Sequence, residues 1–524
     1  MKHIPLALLL LAQTSLLKAE DTGLKFEAED GTISNSEIVS NAKYSGDKAV
    51  KMTDTAASLT IKAEISERKK YTIYAMAEGI GGEKVVNCSI NGATAQFKTK
   101  DYGEVEIGSF FLEAGSNIFV ITPGWTWYNI DYIRLEEAAP SIPFDIASTT
   151  VTPDATESAK KLYKFLYSNF GKRTISGMMT GSMDTAGKDV TAHEDLKAVY
   201  DASGYYPALV GFDFSNATGK SVDAGNNWFK EYMDKTIVLV KDLWKKGGIP
   251  DFTWHWHDPS RKTGEFYSKD ATFKFTDAMN ADGTWNTSSA LYKNIIKDID
   301  TVADYFLDLQ NDGVACIFRP LHEAPGGWFW WGTQGADAYV KLYRLVYDEM
   351  VKVKGVKNVI WDWNADYKLD LSWCPGEEYY DIISTDIYNN KFDYSSNFNA
   401  FEKLKKLTNG KKIVALAENG PIPDIEKMVD DEAMWSWWMP WYQSWSGGFV
   451  DQTSKDEWKK CMSDERIITL DRMPGWDKYS DIEAIETYEQ TNDLRYNLIG
   501  MRVNGNAKGT ILIVNGRKML IYEK

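Results

Sequence analysis

Residues 315–355, ACIFRPLHEAPGGWFWWGTQGADAYVKLYRLVYDEMVKVKG, decide the fold class of the larger part of this 524-residue chain. They open with an apolar run that stops at Arg319, pass through a loop rich in Gly and Trp, and end in a stretch whose apolar positions recur three and four apart. The first pattern reads as a buried strand and the last as an amphipathic helix. NVIWDWNA, residues 358–365, follows as another apolar run, so the segment predicts a β-α-β unit. Outward from it the same alternation continues. Upstream lie TISGMMTG (174–181), ALVGFDF (208–214) and IPDFTWHW (249–256); downstream lie IISTDIY (382–388), KIVALAE (412–418) and the Trp-rich MWSWWMPW (434–441). Helical runs such as WFKEYMDKTIVLVKDLWKKG (228–247) separate them. Strands interleaved with helices in this way predict a (β/α)8 TIM barrel over residues 158–479. An open doubly wound sheet is the rival, but no Gly-rich phosphate-binding loop follows the first strand.

The stretch before the barrel has a different rhythm. Nine short alternating runs, from LKFEAED (24–30) to NIDYIRLEE (129–137), are separated by turn residues such as NG and AGS. This predicts an all-β jelly-roll or β-sandwich module over residues 22–138. Residues 139–157 lose periodicity, gather Pro, Ser and Thr, and read as a linker. The basic start and apolar run of MKHIPLALLLLAQTSLLKAEDTG predict a cleaved signal peptide over residues 1–19 and hence export. Residues 481–524 end in short strands with two NG turns, a small β tail.

A formal net charge of −16 argues against a nucleic-acid partner, because phosphate binding needs a basic surface. No later run is apolar enough for a transmembrane span. The four cysteines, Cys88, Cys316, Cys374 and Cys461, lack paired spacing, leaving either a Cys374–Cys461 disulfide or free thiols. The aromatic load, with 20 Trp, 28 Tyr and 22 Phe, is what a sugar-binding protein needs for stacking, and equally what a large core consumes.

In such barrels the active site lies at the C-terminal ends of the strands, so polar residues that close an apolar run are the candidates. The third strand closes in Trp254-His255-Trp256-His257-Asp258, the fourth in Arg319, His322 and Glu323, the sixth in Asp386 and Tyr388, and the seventh in Glu418. Three of the five histidines fall at these ends. Glu323 and Glu418 sit on nearly opposite strands and form a pair able to act as acid/base and nucleophile. His322 and Arg319 are expected to keep the nucleophile ionised. A metal-dependent hydrolase built on His255, His257 and Glu323 is a rival reading, since a His-x-His pair can present both rings to one side.

RPLHEAPGGWFWWG resembles the acid/base motif of glycoside hydrolase family 26, and TWHWHDP and AENG are similar to its third and seventh strands. The resemblance covers about residues 158–479. It implies a retaining endo-β-1,4-mannanase with Glu323 as acid/base and Glu418 as nucleophile. It also implies that His255, Arg319, His322, Trp328, Asp386, Tyr388 and Trp441 shape the subsites. Pro325 departs from the motif, which often has Asn there. Mixed-linkage glucan and xylan are alternative substrates, and a non-catalytic carbohydrate-binding barrel is the alternative from another class.

FEAEDGTI and WYNIDYIRLE look like carbohydrate-binding module family 35. That likeness implies a structural Ca2+ on Glu27, Glu29 and Asp131, and a sugar-binding loop at Trp125, Trp127 and Asn129. Calcium favours several hard oxygens, while an acidic surface patch is the simpler explanation of the same residues. The C-terminal YNLIGMRV…KGTILIVNGRKMLI is similar to sorting tails of type IX secretion cargo. The expected partner is β-mannan, met by a secreted monomer that needs no catalytic cofactor.

Overall fold

The computed structural model of the protein describes residues 24–477, apart from 366–369 and 444–447, and three short strands near the C-terminal end. The expected signal peptide and most of the expected tail lie outside the described residues. The described chain forms two compact units: residues 24–143 with 389–406 and 423–433, and residues 144–388 with 407–422 and 434–477.

The first unit is a sandwich of two antiparallel sheets. One has the order β3 (Glu37–Ser40), β4 (Lys48–Met52), β11 (Tyr128–Glu137), β6 (Lys69–Gly79), β9 (Gly103–Leu112), with β1 (Leu24–Glu27) also pairing β11. The other runs β2 (Thr32–Ser34), β5 (Ser58–Ile65), β10 (Gly115–Pro123), β7 (Lys84–Ile90), β8 (Ala93–Thr99). Strict alternation turns one face of each sheet inward: Leu59, Ile61, Ala63 and Ile65 of β5 are buried while their neighbours are not. The short strands β2 and β3 were not among the expected runs, because three or four residues at a sheet edge carry no readable period.

The second unit is a closed parallel barrel of β12 (Thr174–Met179), β13 (Leu209–Asp213), β14 (Ile249–Thr253), β15 (Cys316–Arg319), β16 (Val359–Asn364), β17 (Ile382–Ile387), β18 (Ile413–Asn419) and β19 (Trp437–Pro440). β12 pairs with both β19 and β13 and so closes the ring. A two-residue strand, β20 (Ile467–Ile468), adds to β12. Both faces of these strands are buried, which explains their continuous rather than alternating hydrophobicity. The crossover from β16 to β17 departs from the expected pattern: its described part holds only the short 3₁₀ turns Leu371–Trp373 and Glu377–Tyr379.

Inside the barrel the two-residue period sorts side chains into layers. Ile249, Ile317, Ile360, Ile382 and Ile413 belong to one apolar cluster, and two residues further along the strands come Asp251, Arg319, Asp362 and Ser384. Ten tryptophans, namely Trp254, Trp256, Trp330, Trp331, Trp361, Trp363, Trp435, Trp437, Trp438 and Trp458, have no exposed surface. Half of the tryptophans are therefore core, and composition overstated their use for sugar. All four cysteines are free thiols, so the Cys374–Cys461 bridge is not formed. Among the described residues no helix is long and apolar enough to cross a membrane. In the tail, β21 (Arg495–Tyr496), β22 (Ile511–Val514) and β23 (Arg517–Leu520) form an antiparallel sheet in which Val514 pairs with Arg517.

Candidate active site

Glu323 is placed by an unusual piece of backbone. β15 ends at Arg319, and within the next four residues both Leu321 and Glu323 adopt positive φ, 53° and 52°. Such conformations cost a non-glycine residue roughly 1–3 kcal/mol each and persist only where the surroundings hold them. Here Asn364 Oδ1 accepts the Glu323 N–H at 3.0 Å, and the buried Trp331 indole donates to the His322 carbonyl at 2.8 Å. Trp330 in turn donates to the Trp256 carbonyl at 2.6 Å, tying this loop to the end of β14. The Glu323 carboxylate accepts the indole N–H of the partly exposed Trp328 at 2.7 Å.

Glu418, 4 % exposed at the end of β18, is held differently. The guanidinium of Arg319 donates one Nη to Glu418 Oε1 and the other to Asp386 Oδ2, the latter at 3.0 Å. Tyr388 donates its hydroxyl to Glu418 Oε2 at 2.5 Å, and Asn364 Nδ2 donates to Asp386 Oδ1 at 2.9 Å. Burial and the Glu418 charge push the Tyr388 hydroxyl well above its usual pKa, so it stays a donor. Glu323, Asp386 and Glu418 each present an oxygen within 4.8 Å of the others. That proximity suits a pair of carboxylates acting on one glycosidic bond.

The two histidines line the wall as neutral rings or carboxylate partners. His255 shares its Nδ1 with Asp213 Oδ2 at 2.6 Å and meets His322 edge-on at 4.6 Å between ring centroids. His322 Nδ1 faces Thr253 Oγ1 at 3.1 Å, and burial, then Arg319, then His255 lower its pKa well below the ordinary value. His322 was expected, with Arg319, to supply a hydrogen bond to the nucleophile; its Nδ1 faces Thr253 instead, and the hydrogen bonds seen on Glu418 come from Arg319 and Tyr388. Trp441 is buried and meets His255 at 5.9 Å, so it backs the wall more than it faces the cleft.

The histidine-based metal reading is also not supported. His257 stacks on Phe266, and the described residues that could jointly hold an ion near the site are the three carboxylates, with no histidine among them. Asp213, Thr253, Asn364 and Tyr267 were not singled out from sequence. Asp213 and Asn364 close β13 and β16, so the rule that found Glu418 would have found them had it been applied to every strand. Tyr267 lies in a loop with no such signal, yet its hydroxyl feels the charges of both Glu323 and Glu418.

In the sandwich unit, Trp125 and Trp127 are 63 % and 53 % exposed, as a stacking platform requires. Asn129 lies beside that loop, as the second residue of β11, but it is buried, and its Nδ2 donates to the Tyr44 hydroxyl at 2.8 Å. Of the residues expected to hold Ca2+, Glu27 and Glu29 each keep one buried carboxylate oxygen without a partner. Burial, with the charges of Glu27, Asp30 and Asp131, raises the Glu29 pKa. These features fit a hard cation. Asp131 is already engaged, accepting the Ser45 N–H at 3.0 Å and the Tyr102 hydroxyl at 2.5 Å.

Comparison with known proteins places this geometry. Residues 151–472 match the profile described as glycosyl hydrolase family 26. Mannan endo-1,4-β-mannosidase B of Piromyces sp is 30% identical over 470 residues, covering 86% of this chain and 77% of that protein. The mannan endo-1,4-β-mannosidase of Thermothelomyces thermophilus is 30% identical over 468 residues, 86% and 90% of the two chains. Among solved structures, a ruminal GH26 endo-β-1,4-mannanase superposes with a TM-score of 0.61 at 26% identity, over 87% of this chain and 99% of the other. A Podospora anserina GH26-CBM35 β-(1,4)-mannanase does so with a TM-score of 0.58 at 27% identity, over 88% and 100%.

Proposed function

The chain belongs to glycosyl hydrolase family 26, and from that premise we propose that this glycoside hydrolase is an endo-β-1,4-mannanase acting by double displacement. The observation that carries the mechanism is that the two carboxylates face each other with oxygens within 4.8 Å. Glu418 takes hydrogen bonds from a buried guanidinium and a phenol, both of which favour its ionised form, as a nucleophile needs. Glu323, on the opposite side of the ring of strands, accepts the indole N–H of Trp328 and is the carboxyl assigned to proton transfer. Glu323 then protonates the glycosidic oxygen as Glu418 attacks the anomeric carbon. The glycosyl-enzyme so formed is hydrolysed by a water that gives its proton back to Glu323, and the anomeric configuration is retained.

The choice of mannan rests on the activities of the relatives, each a mannanase. The test is a product profile on linear mannan, galactomannan and lichenan, with the anomer of the first product followed by NMR. Mid-chain cleavage of the two mannans with β-anomer released first is expected. Faster cleavage of lichenan, or first release of the α-anomer, would overturn the assignment. We further propose that the sandwich is a family 35 module binding sugar through Trp125 and Trp127 and Ca2+ through Glu27 and Glu29. The enzyme is proposed to be exported by its N-terminal segment, with residues 481–524 as a sorting tail.

A further inference from the structure

The reacting carboxylates do not exhaust the buried charge of the barrel. Asp251 and Asp362 face inward from β14 and β16, the strands flanking β15, at 2 % and 0 % exposure. Thr253 pairs with Arg319 across β14 and β15, and Phe318 pairs with Trp361 across β15 and β16. Asp251 thus sits two residues below the level of Arg319, and Asp362 beside that level. Asp251 Oδ1, both oxygens of Asp362 and Nε of Arg319 are buried with no well-formed hydrogen bond.

Arg319 therefore feels four carboxyls: Asp386 and Glu418, which it bonds directly, and Asp251 and Asp362, which it does not. Were all four ionised, the barrel interior would hold one positive and four negative charges, an arrangement that a dry core does not tolerate. Protons must sit on some of them, and the two without a direct bond to the guanidinium are the ones left to carry them. We propose that Asp251 and Asp362 are positioning residues for glycoside cleavage, a proton-holding layer under Arg319 that keeps its charge committed to Glu418 and Asp386.

Burial agrees with that placement. It drives Asp362 well above the carboxylate range against the pull of Arg319, and raises Asp251 to about 7. The groups facing Asp251 are Arg319 and the Cys316 thiol from β15, Glu418 from β18 and Asp362 from β16. Loss of the Asp251 proton gives the guanidinium a third carboxylate to serve and loosens its hold on Glu418. Turnover should therefore decline as pH rises through neutrality.

Two measurements test this. In pH–rate profiles, Asp251→Asn, a neutral mimic of the protonated acid, should move the alkaline midpoint of kcat/KM upward by at least about half a unit, with the change in kcat rather than KM. Profiles that superimpose on the wild type would overturn the proposal. The second uses infrared spectra of the full chain in a Glu323→Gln background, which removes the general acid's own carboxyl. At about pH 6 ordinary carboxyls are ionised, so any protonated-carboxyl band reports a shifted group. One band lost near neutrality and deleted by Asp251→Asn, and another that persists and is deleted by Asp362→Asn, are expected. If neither substitution removes a band, or no band exists in the unsubstituted layer, the proposal fails. The kinetic arm rests on the double-displacement reading, whereas the infrared arm involves no substrate, so failure of one is distinguishable from failure of the other.

Discussion

The barrel and the sandwich each bury a group of carboxylates, and they balance the charge in different ways. In the barrel, Glu418 and Asp386 close on Arg319, a fully buried cation from a neighbouring strand. In the sandwich, Glu27 Oε1 meets the partly exposed Lys25 at 3.0 Å and the Ser45 hydroxyl at 2.7 Å, and Glu29 and Glu27 each leave an oxygen buried and unpartnered. The first cluster carries its own cation, with the remaining buried carboxyls left to hold protons; the second has oxygens that call for a proton or an imported cation. The proposed nucleophile Glu418 thus has its cation built into the barrel wall, on another strand rather than in solution. A structural joint between the first and last strands of a module can instead depend on ligand.

The sharpest break of the barrel cluster is at its reacting groups. Glu418→Gln should lower kcat by on the order of 10⁴ or more, and Glu323→Gln by roughly 10²–10⁴, with mannan binding retained in both. Retained turnover in Glu418→Gln would dismantle the site. Next comes the cation. Arg319→Met leaves two buried carboxylates facing each other without compensation, and the cost should be about 3–5 kcal/mol of stability by denaturant titration, besides lost activity. A loss below about 1 kcal/mol, the scale of an exposed pair, would show that Arg319 is not what holds Glu418 and Asp386 in place.

The sandwich cluster should respond to what the barrel cluster ignores. Saturating Ca2+, at about 100 times its Kd, should raise the sandwich transition by roughly 2.7 kcal/mol, and Glu29→Gln should abolish that gain while the barrel transition stays put. The pH dependence has a definite sign. The folded pKa of Glu29 and Asp131 is raised by burial first, so without metal the folded sandwich binds more protons than the unfolded one. Its stability then falls as pH rises from the ordinary carboxylate range through the raised values. With Ca2+ the trend should invert, because the ion competes with those protons. Calorimetry with chelator at two pH values checks both, and an unchanged sandwich transition on chelation refutes the Ca2+ assignment.

The two units were also unequally legible in the sequence. The eight barrel strands were readable because each is buried on both faces and so is a continuous apolar run, and the site because polar residues end those runs. Glu418 and Arg319 needed no more than that. Thr253, by contrast, was hidden inside a longer run, and the role of His322 depended on a burial that no motif displays. Tryptophan content misled for a physical reason: Trp361, Trp363, Trp437 and Trp438 fill the space around the strands, where large apolar volume rather than sugar stacking is required. In the sandwich, alternation revealed the long strands but could not reveal that Asn129 turns inward to Tyr44.

The smallest expected effect concerns the backbone under the sandwich's aromatic platform. Trp127 adopts φ 77°, a left-handed conformation that costs a bulky residue roughly 1–2 kcal/mol. It is held there from both sides, its N–H donating to the Met52 carbonyl at 2.8 Å and its carbonyl accepting from Ile80 N–H at 2.8 Å. The side chain itself is 53 % exposed, so truncation forfeits little burial. Trp127→Ala keeps the strained φ, whereas Trp127→Gly relaxes it, and the glycine variant should be the more stable of the two by about 1 kcal/mol. If the strain exists to present the ring, both variants should lose mannan affinity equally in binding to insoluble polysaccharide. A glycine variant that is no more stable than the alanine one would show that the turn is not under strain. Affinity retained in both would assign Trp127 to the fold rather than to sugar, and would leave Trp125 as the exposed ring that module and polysaccharide share.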